Sequence, residues 1–208
     1  MIQKIIHQTF LGETGENMFT DFPLYVINKN KWIQWAKDNN YIYKFYTGVE
    51  VELLLTNDMK IFYDSLRFKW QRIDFCRYLI LNKYGGIYID LDIEPNNTNE
   101  KDFNKYIENS DYILNKWFDP KKNKWELNNA LMGFPKNSFN ELIKYSIEET
   151  MKRRDNETYK TWKIRYMLQT TGVRMFKRWC KIVGYTYSPD IHEYVIDHCT
   201  ASWLKNFK

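Results

Sequence analysis

Two carboxylates spaced two residues apart follow a short apolar stretch in the middle of this 208-residue chain. Residues 85–92 read GGIYIDLD, so that two glycines, a short extended run, Asp90 and Asp92 come in succession. In a strand, residues i and i+2 lie on the same face. Mg²⁺ and Mn²⁺ prefer oxygen ligands, and phosphate oxygens are often among these ligands. The segment therefore predicts a site for a divalent cation and a diphosphate.

Asp74 and Arg77 lie three positions apart, upstream of the two carboxylates, in a stretch with helical periodicity. Residues at this spacing share one face of a helix. They could form a helix ion pair worth a few tenths of a kcal/mol. They could also direct a carboxylate and a guanidinium at sugar hydroxyls and a diphosphate. The spacing alone leaves both interpretations open and favours the ion pair.

A third group of polar side chains lies near the end of the sequence, where residues 197–203 read DHCTASW. His198 could complete a metal site, because imidazole suits Mn²⁺ better than Mg²⁺. Ser202 and the indole N–H of Trp203 could donate to phosphate oxygens. A capped helix with a core tryptophan is an equally good interpretation. His7, within an apolar strand, is expected to be a core histidine.

The elements that must position these side chains alternate between strand and helix periodicity. We expect strands at 2–10, 41–46, 87–90, 111–114, 130–134 and 194–196. We expect helices at 28–39, 48–55, 59–66, 68–82, 139–154, 159–168 and 172–183. This alternation predicts an α/β fold with a mainly parallel sheet, in which ligands bind beyond the carboxyl ends of the strands. Asp90 and Asp92 lie at such an end.

Composition favours a single domain, residues 1–208, with a substantial core, since 44% of the residues are apolar and 18% aromatic. The net charge of +5 is spread without a long basic block. This charge does not require a nucleic-acid partner, and it is equally compatible with an anionic small ligand. We therefore expect no nucleic-acid partner.

Three cysteines without a CxxC pair argue against a disulfide framework or a cysteine zinc site and indicate a reducing compartment. No stretch approaches the roughly 20 apolar residues that span a bilayer, and nothing resembles a signal peptide. We expect a soluble protein in the cytoplasm, or in the host cytoplasm if the chain is viral. It could be one domain of a longer polypeptide.

Taken together, these motifs resemble the glycosyltransferases with a DXD sugar-binding region, a GT-A group assigned to family 32. The motifs that carry the likeness are residues 4–10 (KIIHQTF), Asp74-x-x-Arg77-Tyr78, residues 85–92, Thr170-Thr171-Gly172, and His198 with Ser202-Trp203. The likeness spans nearly the whole chain in order, and the central motif is the most specific. Many relatives have Thr-Gly-Pro where this chain has Thr171-Gly172-Val173, which weakens the argument from that loop.

The resemblance implies roles for individual residues. Asp92 would bind the metal directly, Asp90 would hold the ribose and reach the metal through water, and His198 would be the C-terminal metal ligand. Ser202 and Trp203 would contact the diphosphate. The expected donor-sugar contacts are Asp74, Arg77, Tyr88 and Asn129, and Phe10 matches the aromatic position that stacks on the nucleotide base. Asp74, Arg77, Asp90 and Asp92 are the expected catalytic residues.

The resemblance implies a metal-dependent hexosyltransferase with Mn²⁺ or Mg²⁺, a nucleotide-sugar donor and a glycan or other hydroxyl acceptor. We expect UDP-glucose or UDP-galactose as the donor, with GDP-mannose as the alternative, a retaining outcome, and a role in polysaccharide synthesis. Two rivals come from other classes. One is a non-catalytic nucleotide-sugar binder, and the other is a phosphohydrolase that uses Asp-x-Asp. The second rival is disfavoured because Glu94 stands where such enzymes want Thr or Val.

Overall fold

The computed structural model describes residues 1–12, 17–96, 102–119, 122–154 and 163–198. Their strands are β1 Ile5–Thr9, β2 Ile42–Tyr46, β3 Gly86–Ile89, β4 Ile93–Pro95, β5 Ile113–Asp119, β6 Lys124–Phe134 and β7 Val195–Asp197. Their helices are α1 Met18–Asp21, α2 Pro23–Asp38, α3 Gly48–Glu52, α4 Asn57–Ser65, α5 Lys69–Tyr84, α6 Phe103–Glu108, α7 Asn140–Arg154, α8 Lys163–Thr170 and α9 Val173–Val183. None of these helices is long and apolar enough to cross a membrane.

Five strands form the central sheet in the order β2-β1-β3-β6-β5. β1 pairs in parallel with β2 and β3, whereas β6 is antiparallel to both β3 and β5. Four of these five strands therefore run in the same direction, which confirms the expected α/β architecture with a mainly parallel sheet. β4 and β7 form a separate antiparallel pair.

Helices cover both faces of the sheet. On one face, Phe75 and Tyr78 of α5 pack with Phe176 of α9 and the sheet residue Met132 in one core cluster. On the other face, Trp32 of α2 and the α6 residues Phe103 and Ile107 pack with the sheet residues Ile6 and Ile87. The sheet is therefore the middle layer of three, and its strands are fixed from both sides.

The turn from α5 into β3 depends on two glycines with positive φ, +64° at Gly85 and +93° at Gly86. A side chain at Gly86 would place its Cβ 2.6 Å from the carbonyl oxygen of Ile5. The imidazole of His7 fills the space beside this turn, with Nε2 2.8 Å from the carbonyl oxygen of Gly85. His7 is fully buried and its Nδ1 lies 3.1 Å from the Tyr46 hydroxyl, which confirms the expected core histidine.

Several element bounds differ from those expected from the sequence. Helix α2 begins at Pro23, which suits the first helical position, rather than at residue 28. Strand β6 begins at residue 124 rather than 130, because residues 124–127 pair with β5 in a hairpin. β5 runs to residue 119 for the same reason. Strand β4, which was not expected, exists because β7 pairs with it. Residues 159–162 of the helix expected at 159–168 lie outside the described residues, and the rest is α8, which runs to Thr170.

Candidate active site

A cleft of about 700 Å³ opens where β1 and β3 end, beside the start of β6. Asp74, Arg77, Tyr88, Asp90 and Asn129 line the middle part of the cleft, which we call its floor. Ligand sites in α/β proteins lie at this edge of the sheet. The structure thus brings together the upstream helix pair, the central carboxylates and Asn129, which are far apart in the sequence.

Arg77 is the centre of the floor. Its Nη1 and Nη2 each lie 3.3 Å from a different carboxylate oxygen of Asp90, and Nη2 is also 3.3 Å from Oδ1 of Asp74. Nη1 donates a further hydrogen bond of 2.7 Å to the carbonyl oxygen of Asn129. The guanidinium also lies 5.1 Å from the centre of the Tyr88 ring. Arg77 is therefore held from several directions, and the simple helix ion pair considered above is only one part of this arrangement.

The side chain of Asn129 extends the same network. Its amide nitrogen donates to Oδ1 of Asp74 at 3.1 Å and to the hydroxyl of Tyr78 at 3.2 Å. The Tyr78 hydroxyl in turn donates to the carbonyl oxygen of Thr171 at 2.8 Å. Because these side chains are buried and hold one another, the floor is preorganised.

The carboxylates of the floor are electrostatically unbalanced. Burial raises the pKa of Asp74, while Arg77 and the Asn129 amide oppose that shift. Burial likewise raises the pKa of Asp90, Arg77 opposes the shift, and the neighbouring charge of Asp92 adds to it. A quarter of the Asp90 side chain remains exposed. Arg77 contacts the carboxylates of Asp74 and Asp90, and Asp92 adds a third negative charge near Asp90, so that the site would favour an added cation.

The aromatic position expected to stack on a base lies on one side of the floor. Phe10 directly follows β1, and its ring meets that of Phe22 edge-on with centroids 5.7 Å apart. The ring of Tyr25 stacks on Phe22 at 5.1 Å. All three line the cleft. They form an aromatic wall beside the β1 end, suitable for a flat ring.

The predicted metal ligands are only partly assembled. Asp90 and Asp92 both line the cleft, and Asp197 at the end of β7 joins them. The backbone N–H of His198 donates to the carbonyl oxygen of Asp92 at 3.0 Å, but its Nε2 lies 3.5 Å from Glu94.

Within the described parts of the chain, no three His, Cys, Asp or Glu side chains surround a common point. The oxygen donors Asp90 and Asp92 nevertheless fit a hard divalent cation, which would keep water or phosphate oxygens as its remaining ligands. The roles of Asp90, Asp92 and His198 as metal ligands stay predictions.

Of the remaining predicted donor contacts, Tyr88 is described by the structure and two others are not. Tyr88 is 1% exposed and lies under the guanidinium of Arg77, where it can support that group. Ser202 and Trp203 lie outside the described residues. Their predicted contacts with the diphosphate stay predictions.

Two features of the cleft were not found from the sequence. Gly172, the residue before α9, lies so close to Asp74 that an added Cβ would be 3.1 Å from its Oδ2. The Thr-Gly loop that carried little weight in the sequence therefore borders the floor directly. Glu126 of β6 lies between Lys122 and Lys177, which lower its pKa to about 2 through hydrogen bonds from both side chains. No sequence pattern predicts either contact, because both depend on long-range packing.

Residues 25–113 match the family model described as the glycosyltransferase sugar-binding region containing a DXD motif. The match includes Asp74, Arg77, Asp90 and Asp92, which the structure gathers in one cleft. Over these residues the chain resembles the sugar-binding region of the DXD glycosyltransferases, and this is the class of protein that the match indicates.

Curated relatives agree with this class. The chain is 36% identical over 105 residues to inositol phosphoceramide mannosyltransferase 3 of Schizosaccharomyces pombe, a match that covers 47% of this chain and 26% of that protein. It is 35% identical over 96 residues to mannosyl phosphorylinositol ceramide synthase CSH1 of Saccharomyces cerevisiae, covering 44% and 23% respectively. The matched region thus spans about a quarter of the length of these relatives.

Among solved structures, the chain resembles the PaToxG glycosyltransferase with a TM-score of 0.54. The superposition covers 88% of this chain and 70% of that one at 15% identity, so that it bears on the fold alone. The fold is that of the GT-A glycosyltransferases, as expected from the resemblance.

Proposed function

We propose that this chain is a hexosyltransferase that takes a sugar from a nucleotide-sugar donor and transfers it to a hydroxyl acceptor. The observation that carries the proposal is the contact of Arg77 with Asp74, Asp90 and the Asn129 carbonyl on the floor of the cleft. Carboxylates and an amide are suitable partners for sugar hydroxyls, and a fixed guanidinium is suitable for a diphosphate.

In the proposed reaction, the floor of the cleft stabilises the leaving nucleoside diphosphate. The acceptor oxygen forms a bond to the anomeric carbon, and the bond from that carbon to the diphosphate breaks with its electron pair on the phosphate oxygen. The acceptor proton passes to that oxygen in a front-face displacement, which retains the configuration. Arg77 would stabilise the developing charge without reorganising, and one lost donor of this kind typically costs about 3 kcal/mol in the barrier. A bound divalent cation would supply further neutralisation as a Lewis acid.

The nature of the donor is a finer proposal. The resemblance favoured UDP-glucose or UDP-galactose as the donor, whereas the names of both curated relatives refer to a mannosyl group. We therefore place mannose first, as GDP-mannose, and the UDP-hexoses second. The aromatic wall of Phe10, Phe22 and Tyr25 would accept either base. Polysaccharide synthesis and a cytoplasmic location stay predictions.

The test is a donor panel of GDP-mannose, UDP-glucose and UDP-galactose, each with and without Mn²⁺. Donor binding is measured by thermal shift, and turnover by release of the nucleoside diphosphate. A ligand at 100 times its Kd stabilises the fold by about 2.7 kcal/mol. Metal-dependent stabilisation and turnover by one donor are expected. Stabilisation without turnover across a broad acceptor panel would favour a non-catalytic binder. Hydrolysis of simple phosphate monoesters, without response to any nucleotide sugar, would favour the phosphohydrolase.

A further inference from the structure

The cleft has a second wall in addition to the aromatic wall of Phe10, Phe22 and Tyr25. Helix α2, which carries Tyr25 near its start and directly follows Phe22, packs on β1 and β2. Helix α9 packs on β6 and on α8, and α8 packs on α5. The cleft therefore continues past the floor toward α9, into a part that the aromatic wall does not reach. We call this part the α9 wall and define it by its lining residues Lys69, Trp70, Ile73, Leu168, Val173 and Arg174.

The α9 wall lies directly beside the position proposed for the donor sugar. Gly172, the residue before α9, is packed against the carboxylate of Asp74, since a Cβ added to this glycine would lie only 3.1 Å from Oδ2. Val173 and Arg174 follow immediately on the first turn of the helix. A molecule seated on this wall would have its hydroxyl groups beside the sugar held at Asp74. This is the position that an acceptor must occupy.

The charge of this wall is positive. Lys177 and Lys122 both pair with Glu126, and Lys122 also lies 3.2 Å from Asp119. These two lysines and two carboxylates therefore offset one another. Arg174 is exposed to the cleft and forms no ion pair with any residue in the described part of the chain. Lys69, at the start of α5, adds a second basic group, with its ammonium 4.9 Å from the Trp70 ring centre. Between these cations lie the apolar side chains of Ile73, Leu168 and Val173.

We propose that the α9 wall is an acceptor subsite for a phosphorylated polyol, with Arg174 as the principal phosphate ligand and Lys69 as the second. This inference rests on the proposed transferase function and adds the substrate class of its acceptor. Guanidinium groups bind phosphate through two parallel hydrogen bonds, which gives orientation as well as affinity. The indole of Trp70 and the apolar side chains suit the less polar face of the polyol ring. The same phosphate could belong to a soluble sugar phosphate or to a lipid headgroup.

Binding is measured first, because it does not require turnover. The nucleoside diphosphate of the preferred donor is added with Mn²⁺ at saturating concentration, so that a second phosphate cannot bind in its place. Titration calorimetry then compares inositol 1-phosphate with inositol, and glucose 6-phosphate with glucose. We expect each phosphorylated compound to bind at least about tenfold more tightly, as a hydrogen bond to a charged group implies.

The variant Arg174→Gln should reduce this preference about tenfold. The matched control Arg165→Gln removes the same charge from an exposed position that does not line the cleft, and it should keep the preference. Inorganic phosphate should bind more weakly than the phosphorylated polyols. Equal binding of phosphate alone, no preference in the wild type, or a preference unchanged in Arg174→Gln would each overturn the proposal.

Phosphatidylinositol in detergent micelles identifies the source of the phosphate. Tighter binding of the micellar lipid than of inositol 1-phosphate supports a lipid headgroup, and equal binding supports a soluble acceptor. Either result supports a phosphorylated polyol in the α9 wall. Release of nucleoside diphosphate from the donor is followed separately, and its absence would count against the transferase function while leaving the binding result intact.

Discussion

The guanidinium of Arg77 meets the carboxylate of Asp90 through both of its terminal nitrogens, with Nη1 to Oδ2 and Nη2 to Oδ1 each at 3.3 Å. The two residues belong to different elements, since Arg77 lies in α5 and Asp90 follows β3. The contact therefore has two effects. It fixes the first carboxylate of the DXD motif, and it orients a positive charge toward the cleft.

Replacement of Arg77 should separate these two effects. Arg77→Ala leaves buried carboxylates without a partner and should destabilise the fold by about 3–5 kcal/mol. Arg77→Lys keeps the charge but cannot bridge both oxygens, so that it should be less destabilising while still reducing transfer about 100-fold. Denaturant unfolding and initial rates measure the two effects. Arg165→Lys is the control, and a near wild-type rate in Arg77→Lys would make the role of Arg77 structural.

Asp92→Asn should abolish metal-dependent binding of the donor. The second carboxylate of the motif lines the cleft, and the amide removes the negative charge that a divalent cation requires. Calorimetric titration with Mn²⁺, with and without nucleoside diphosphate, measures the effect. Asp64→Asn, an exposed substitution on α4, should bind Mn²⁺ and nucleotide like the wild type. Unchanged Mn²⁺-dependent affinity in Asp92→Asn would remove Asp92 from the metal site.

The stability of the fold should depend on pH through His7. Burial lowers the pKa of His7 to about 4, whereas an exposed histidine titrates near 6.5. Between these values the unfolded chain binds a proton that the folded chain does not, so that stability falls as the pH drops from about 6.5 to about 4. The full difference corresponds to about 3 kcal/mol.

His7→Gln should remove this part of the pH dependence. Asp74 and Asp90 have raised pKa values and act in the opposite direction, which is why the difference between wild type and variant is the relevant quantity. Urea unfolding at pH 7 and pH 5 measures it. His192→Gln, which replaces an exposed histidine, is the control. It should show the same difference in unfolding free energy between pH 7 and pH 5 as the wild type. If His7→Gln showed the same difference in unfolding free energy as the wild type, the pH dependence could not be assigned to His7.

Gly86→Ala should destabilise the protein by at least about 2 kcal/mol. The φ of +93° disfavours a side chain, and the new Cβ would lie 2.6 Å from the Ile5 carbonyl oxygen, which belongs to β1 and cannot move freely. Gly48→Ala offers a matched comparison, because an added Cβ there meets nothing within 4 Å. That variant should be neutral or slightly stabilising. Equal chemical-denaturation midpoints for the two variants would disprove the steric argument.

Local patterns marked Asp74, Arg77 and Asp90 of the floor as candidates, but they did not predict the contacts among these side chains. The glycine break before β3 predicted where Asp90 and Asp92 lie, and helical spacing placed Asp74 and Arg77 on one face. The position of Asn129 came from the family resemblance. The β4–β7 pairing, the hairpin that extends β6 and the approach of Gly172 to Asp74 all depend on contacts that the sequence pattern does not show. No periodicity encodes such contacts, because they depend on how the layers pack.

The hydroxyl of Tyr78 bonds to the side chain of Asn129 on the floor and to the backbone of Thr171, next to the α9 wall. A displacement of residues 171–172 must therefore shift the phenol or break one of these two hydrogen bonds. The two halves of the cleft are mechanically linked through a single oxygen atom. If the donor and the acceptor occupy these halves, their binding free energies are coupled, and linkage requires each ligand to change the affinity of the other by the same factor. Tyr78→Phe would reduce this mutual effect, which makes the hydroxyl a determinant of cooperativity between the two substrates.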